Sequence, residues 1–296
     1  MNNNLKKDVS VNEQFVPDPD KVREIKEKII LIKVGGNALT DSRVKNNIVY
    51  QIAELYKFDV LPVLVHGGGI EIREILDKLG IVSEFIGGHR KTDDISIRYI
   101  EMALSGGVNK ELVSLLNQKG IRAVGISGRD ANMVIATKRK YTEKADQSEI
   151  EVDLGFVGDV EDVDASLIYS LLNSGYLPVV SPISSGRDGS CYNINADMFA
   201  AHLAGALSAE KFVAISNIDG LLEDMSDPES IIHILPKKQA KSLYGTIISG
   251  GMIPKLDACL IALEKGVQSA HIINGAKNGE LLRILLTDDE TGTTIF

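Results

Sequence analysis

Two apolar runs each end in consecutive glycines, and no other feature limits the fold as tightly. Ile29-Ile30-Leu31-Ile32-Lys33-Val34 leads into Gly35-Gly36-Asn37, and Val63-Leu64-Val65-His66 leads into Gly67-Gly68-Gly69. Runs this apolar read as strands buried on both faces, which demands a mainly parallel sheet covered by helices. A strand that stops in glycines before a helix leaves backbone N–H groups unpaired, and such groups hold phosphates or carboxylates. Two seats of this kind, one with a lysine at the strand end, suggest two anionic ligands brought face to face. That is the layout of a group-transfer enzyme.

The rest of the chain alternates in the same way. Helical spacing recurs at 45–57, 70–79, 93–104, 108–118, 164–174, 195–206, 254–265 and 279–286, and strand patterns at 60–65, 121–126, 177–181, 211–216 and 269–273. Gly80, Gly120, Gly175 and Gly266 stand where a helix should stop before a strand. The charged stretch 138–153 reads as an exposed hairpin or loop. Residues 1 to about 20 are polar, carry Pro17 and Pro19, and read as a flexible tail; Lys21 to Lys28 suit a short helix, with Glu24 facing Lys28. The polar, glycine-bearing run Ser184 to Ser190 is the natural lobe boundary. The expected fold is therefore α/β, a three-layer αβα sandwich with a mainly parallel central sheet and two lobes. Its parts are an N-terminal extension (1–28), a first lobe (29–185) and a second lobe (186–296). Ligands on such sheets gather at the carboxyl ends of the strands, where both glycine runs lie.

A net charge of −9 argues against a surface that coats nucleic acid. Anionic substrates must be captured locally, against the overall field. No apolar run has the length of a membrane span, and Met1 to Lys7 lacks the apolar stretch of a signal peptide, so the expected location is cytoplasmic. Cys191 and Cys259 are too few for a disulfide framework or a zinc site and read as buried free thiols.

There is no G-x-x-x-x-G-K-[ST] loop, protein-kinase set, G-x-S-x-G turn, H-E-x-x-H helix or C-x-x-C pair in the sequence. What stands out instead is a set of isolated polar residues at strand and helix ends. Lys33 could be a snorkelling edge residue, but the glycines that follow leave room for an anion beside its ammonium. His66 reads as a structural hydrogen-bonding residue rather than a base. Arg90, in Gly88-His89-Arg90-Lys91-Thr92-Asp93, has the planar fork that suits a carboxylate and precedes a helix whose expected N-cap is Thr92. In Asn193-Ile194-Asn195-Ala196-Asp197, capping by Asn195 explains one of three polar side chains. Gly250-Gly251-Met252-Ile253-Pro254-Lys255 repeats the glycine-then-lysine theme, with Pro254 at a helix start.

Taken in order, these segments resemble the acetylglutamate kinases of the amino acid kinase family. The matching stretches are 32–37, 65–69, 88–93, Ser105 to Lys110, Gly155 to Val160, 193–197 and 250–255. The resemblance implies the amino acid kinase fold and transfer of phosphate from ATP, carried as its Mg²⁺ complex, to the γ-carboxylate of an N-acylated glutamate. It implies an acyl-amino-acid-binding first lobe and a nucleotide-binding second lobe. Lys33 and Lys255 would stabilise the phosphoryl group in flight, with Asp197 orienting both. Amides of Gly35, Gly36 and Gly68 would line the phosphoryl path, and Gly68 with Gly69 would hold the acyl amino acid. Arg90 and Asn193 would grip its α-carboxylate side, while Ser216, Asn217, Gly220 and Leu221 would border the nucleotide. No protein-held metal is implied, and family members are homo-oligomers, dimers or hexamers.

The match has departures. Asn217 stands where the family usually has aspartate. Arginine-inhibited members carry a His-Ile-Ile-Asp-Gly-Arg segment followed by a glutamate; here it reads His271 to Ala276, and Ile284 holds the glutamate's place. Weak or absent arginine inhibition is expected, since an apolar residue cannot pair with a guanidinium. A kinase for another acyl amino acid, such as N-succinylglutamate or an N-blocked 2-aminoadipate, and a catalytically silent amino-acid sensor are the alternatives.

Overall fold

The computed structural model describes residues 15–145, 148–224, 226–245, 248 and 250–296. Most of the tail expected at 1–20 lies outside these residues. Within them, β1 (Ile29–Val34), β2 (Leu61–His66), β3 (Ala123–Ser127), β4 (Leu177–Ser181), β5 (Lys211–Ser216), β6 (Ile234–Leu235), β7 (Ser269–Asn274) and β8 (Thr293–Ile295) form one sheet. Its order is β6-β8-β7-β5-β1-β2-β4-β3, and the β7–β8 pair alone runs antiparallel. The long helices are α1 (Pro19–Ile25), α2 (Ser42–Tyr56), α3 (Gly69–Lys78), α4 (Asp94–Glu101), α5 (Asn109–Gln118), α6 (Ser166–Asn173), α7 (Ala196–Ala206), α8 (Ile253–Glu264) and α9 (Glu280–Leu286).

The alternation of side chains along a strand sorts these helices into two layers. Ile30, Ile32 and Val34 of β1 pack with Ile52 of α2, Leu116 of α5 and Leu285 of α9. Leu31 points the other way, into a core with Ile168 of α6, Ala200 of α7 and Leu256 of α8. The αβα sandwich read from the sequence is thus observed. Lys33, two residues after Leu31, shares the α7–α8 side, which is the fact that builds the site. The glycines at 80, 120, 175 and 266 all adopt positive φ, from 72° to 99°, as helix-terminating residues do.

Four local expectations are corrected. The run Ser184–Ser190 is no boundary: strands Ile183–Gly186 and Cys191–Ile194 form a hairpin that joins Val134–Lys138 and Val157–Val163 in a small closed sheet. Serine-rich sequence looked like linker, yet Ser184 is fully buried. The helices expected at 93–104 and 108–118 are one continuous rod, because Met102–Val108 forms a π-helical segment that carries the chain through Gly106 and Gly107. The N-cap of α4 is Asp93, whose carboxylate accepts from the Ser96 amide at 2.7 Å; Thr92 is buried and donates to Arg90 O. Finally, α1 begins earlier than expected, at Pro19 behind an Asp18 cap, and Glu24 pairs with Lys211 at 3.0 Å rather than with Lys28.

The charged stretch at 138–153 does contain an antiparallel hairpin, Tyr141–Ala145 with Ser148–Val152. Of the cysteines, Cys259 is buried and Cys191 half-buried, and both are free thiols. Replacing the α4 cap, Asp93→Ala, is expected to cost about 1 kcal/mol in urea unfolding. An unchanged midpoint would show that the cap bond contributes nothing.

Candidate active site

The site begins with a charge on a central strand. Lys33 is 6% exposed, and its ammonium meets Asp197 Oδ1 at 2.8 Å. A lysine this deep is tolerable only with a partner. Asp197 is supplied by the first turn of α7, which Asn195 caps by accepting from the Asp197 and Met198 amides at 2.9 and 3.2 Å. The capping expected of Asn195 is therefore observed, and it frees the aspartate to face β1.

The second lysine arrives from α8, which packs beside α7 on the same face of the sheet. Lys255 stands in the first turn, behind Pro254, and donates to Gly251 O at 3.1 Å. A cation there opposes the helix dipole, so its position serves the site rather than the helix. Burial lowers the Lys255 pKa, the Asp197 carboxylate raises it, and the Lys33 ammonium lowers it again. Lys33 pairs with Asp197, and Lys255 stands near enough to both for their charges to act on it.

The glycine turns fit against this group. The Gly67 amide donates to Val34 O at 2.8 Å, tying the ends of β1 and β2 together. A β-carbon at Gly35 would stand 2.6 Å from Lys33 Nζ, and one at Gly68 would stand 2.5 Å from Leu104 Cδ2 of the π-helical segment. Gly36 has φ of 62°, a conformation side chains resist. His66 beneath the turn is fully buried; its Nδ1 donates to Gly67 O at 2.8 Å and its Nε2 accepts from Asn109 Nδ2 at 3.1 Å. Burial pushes its pKa down to about 4, so it is neutral and structural, as its sequence context suggested.

Beside the turns lies a cavity of about 360 Å³, lined by Lys33, Gly35, Gly36, Gly67, Gly68, Gly69, Arg90, Asn193 and Asp197. Arg90 is 8% exposed, stacks on the Phe85 ring at 4.6 Å, and donates to Gly69 O at 3.1 Å and to Ser83 Oγ. Among the described residues no carboxylate pairs with it. Burial lowers its pKa, the nearby Arg73 charge adds to that effect, and Asp77, which forms no ion pair with it, acts the other way. A buried guanidinium left without an acid is a ready carboxylate receptor. A larger depression of about 610 Å³ is lined by Lys277, Glu280, Asp289 and Glu290, and shares no residue with this cavity.

The remaining expectations divide. Ser216 closes β5, next to β1, and Asn217 follows it, exposed. Gly220 and Leu221 follow in the turn beyond β5 and are buried against β8. A β-carbon at Gly220 would meet Thr293 Oγ1 at 2.8 Å, and Leu221 is fully buried. The Leu221 amide donates to Thr293 Oγ1 at 2.8 Å and its carbonyl accepts from the Ile232 amide at 2.7 Å. The acid in this loop is Asp219, held by Asn274 at 2.5 Å and Lys277 at 3.2 Å. Two contributors were missed: Asn109, which donates to His66, and Arg73, which also lines the cavity. Arg73 was legible from its position one helical turn after Gly69.

No described group of three or more His, Cys, Asp or Glu residues could hold a metal ion.

This sheet, with paired lysines and glycine turns at its carboxyl edge, is that of a phosphotransferase class. The amino acid kinase family model matches residues 28–274, and the chain belongs to the amino acid kinase family. Within it, the chain is 42% identical to an acetylglutamate kinase of Methanocaldococcus jannaschii over 90% of both chains. It is 40% identical to that of Petrotoga mobilis, over 97% of this chain and 94% of the relative. Among solved structures, N-acetylglutamate synthase from Neisseria gonorrhoeae superposes with a TM-score of 0.78 at 23% identity. That match covers 93% of this chain, which spans only 61% of the synthase's length. Isopentenyl phosphate kinase superposes at 0.60 and 21% identity, over 90% of this chain and all of that one. Both likenesses show the fold alone.

His66 makes stability depend on pH. Its folded pKa of about 4 lies below the unfolded value near 6.5. The unfolded chain therefore takes up the proton first, and stability present above pH 6.5 is lost as pH falls toward about 4, on the order of 3 kcal/mol. Denaturant unfolding at several pH values is expected to show this slope, reduced in His66→Gln.

Proposed function

We propose that this chain transfers the γ-phosphoryl group of ATP to the γ-carboxylate of N-acetyl-L-glutamate, forming an acyl phosphate and ADP in arginine biosynthesis. The observation that carries this reading is the convergence of Lys33 and Lys255 on Asp197 beside a cavity that also presents Arg90. The acetylglutamate kinases matched over nine-tenths or more of this chain support the same reaction and acceptor.

A carboxylate nucleophile is already ionised at neutral pH, so no general base is needed, and the neutral, buried His66 is not one. The barrier is repulsion between two anions, about 4 kcal/mol per pair of unit charges at 4 Å and an effective dielectric near 20. Lys33 and Lys255 offset it, and their fixed positions favour the state in which charge spreads over the transferring oxygens. Mg²⁺, bound with ATP, would neutralise further charge on the β- and γ-phosphates. Gly35, Gly36 and Gly68 amides line the path, Gly69 and Asn193 seat the acyl amino acid, and Arg90 takes the α-carboxylate. Ser216, Asn217, Gly220 and Leu221 border the nucleotide. The acyl amino acid thus occupies the side of the sheet holding β2, β3 and β4, and ATP the side holding β5 and β7. Asn217 in place of the family's aspartate leaves the ammonium pair one fewer anion. Cytoplasmic location and a homo-oligomer, dimer or hexamer, belong to the same reading.

Trapping acyl phosphate with hydroxylamine, with ATP, Mg²⁺ and a panel of acyl amino acids, tests the reaction. Highest turnover on N-acetyl-L-glutamate is expected. Preference for N-succinyl-L-glutamate or an N-blocked 2-aminoadipate would reassign the substrate, and no product at all would leave a sensor. Lys33→Ala and Lys255→Ala should each lower kcat about 10²–10³-fold, the scale of losing one transition-state donor. Near-normal turnover would remove that lysine from the mechanism.

A further inference from the structure

Arg73 is a cation without an evident task in the fold. It projects from α3, one turn after the Gly67–Gly69 seat, and it lines the same cavity as Arg90. It is exposed, and no acidic side chain among the described residues forms an ion pair with it. Its neighbours on the helix do not neutralise it: Asp77, one turn on, stays outside ion-pair range. Arg73 lies close enough to Arg90 for its charge to lower the Arg90 pKa, an effect that the Asp77 carboxylate opposes. Two like charges facing one cavity weaken the fold slightly unless an anion enters between them.

We propose that Arg73 is a positioning residue at the mouth of the cavity, where it captures the non-reacting α-carboxylate of the acyl amino acid and holds it jointly with Arg90. This rests on the proposed reaction for the identity of the ligand. The charge inventory supports it. The substrate is a dianion, and its γ-carboxylate must approach Lys33 and Lys255 with no counter-charge of its own. The α-carboxylate is then the only group that two guanidiniums can share. In a chain of net charge −9, an exposed arginine at the entrance also gives an incoming dianion a local attraction that the overall field denies it. Because Arg73 binds substrate and transition state alike, its contribution belongs in KM and not in kcat.

The test is Arg73→Gln, with Arg73→Lys as partial rescue, in steady-state kinetics and in calorimetric titration with N-acetyl-L-glutamate alone. Arg73 is exposed, and an unchanged thermal midpoint will verify that the variant folds. Arg73→Gln should raise KM for N-acetyl-L-glutamate about tenfold, the scale of one charged contact, while kcat and KM for ATP stay within about twofold. The dependence of kcat/KM on salt should flatten, and Arg73→Lys should restore part of both effects. The loss should be equal for N-acetyl- and N-succinyl-L-glutamate, which share the α-carboxylate. A loss confined to the succinyl compound, a fall in kcat with KM unchanged, or no change in KM and salt slope would each overturn the assignment. If the wild type makes no acyl phosphate, the reaction proposed above fails, yet calorimetry still decides this claim: weaker binding in Arg73→Gln supports it, and equal or absent binding in both proteins overturns it.

Discussion

The buried pair between Lys33 and Asp197 is the interaction on which the remaining arrangement depends. A lysine that is 6% exposed on a central strand would be expelled without its carboxylate, and the carboxylate is in place only because Asn195 takes over the capping of α7. The pair fixes the distance between the carboxyl end of β1 and the amino end of α7. α8 packs beside α7 on the same face, so the position of Lys255 follows from it. As an energetic device such a pair contributes little, since desolvation offsets most of the attraction. Its value lies in holding charge where water would otherwise screen it.

The glycines translate that fixed point into a binding surface. Gly35 lets the backbone pass against the Lys33 ammonium, and Gly68 lets it pass against Leu104. The π-helical segment that carries Leu104 is therefore a structural wall of the site, although it contains no charged residue. His66 and Asn109 brace the turn from below with bonds at 2.8 and 3.1 Å. In the proposed reaction the counter-charges of both anions are set in place before either arrives.

Much of this was legible in the sequence where a residue's position along the chain determines its surroundings. Lys33 and Lys255 stood out as lysines beside paired glycines at element ends, and Asp197 as a polar side chain that the Asn195 cap left unexplained; their joint role came only from the family resemblance. The sheet and its helical layers followed from apolar runs separated by amphipathic ones. What escaped depended on tertiary contact. Ser184 and Ser185 look like linker residues, and their burial in a small closed sheet is imposed by strands distant in sequence. The π-helical continuation through Gly106 and Gly107 runs against the helix-breaking tendency of glycine, and packing on α3 and β3 overrides it. Thr92 and Asp93 are both good caps, and burial of the threonine decided between them.

The account stands on two ammonium groups acting together on one phosphoryl group. A crystal structure with Mg²⁺, ADP, an aluminium fluoride mimic of the phosphoryl group and N-acetyl-L-glutamate addresses this directly. Lys33 Nζ and Lys255 Nζ are expected within hydrogen-bond distance of the fluoride's equatorial atoms, with Asp197 touching both lysines and no fluoride. A complex in which either ammonium points away from the fluoride would contradict the account.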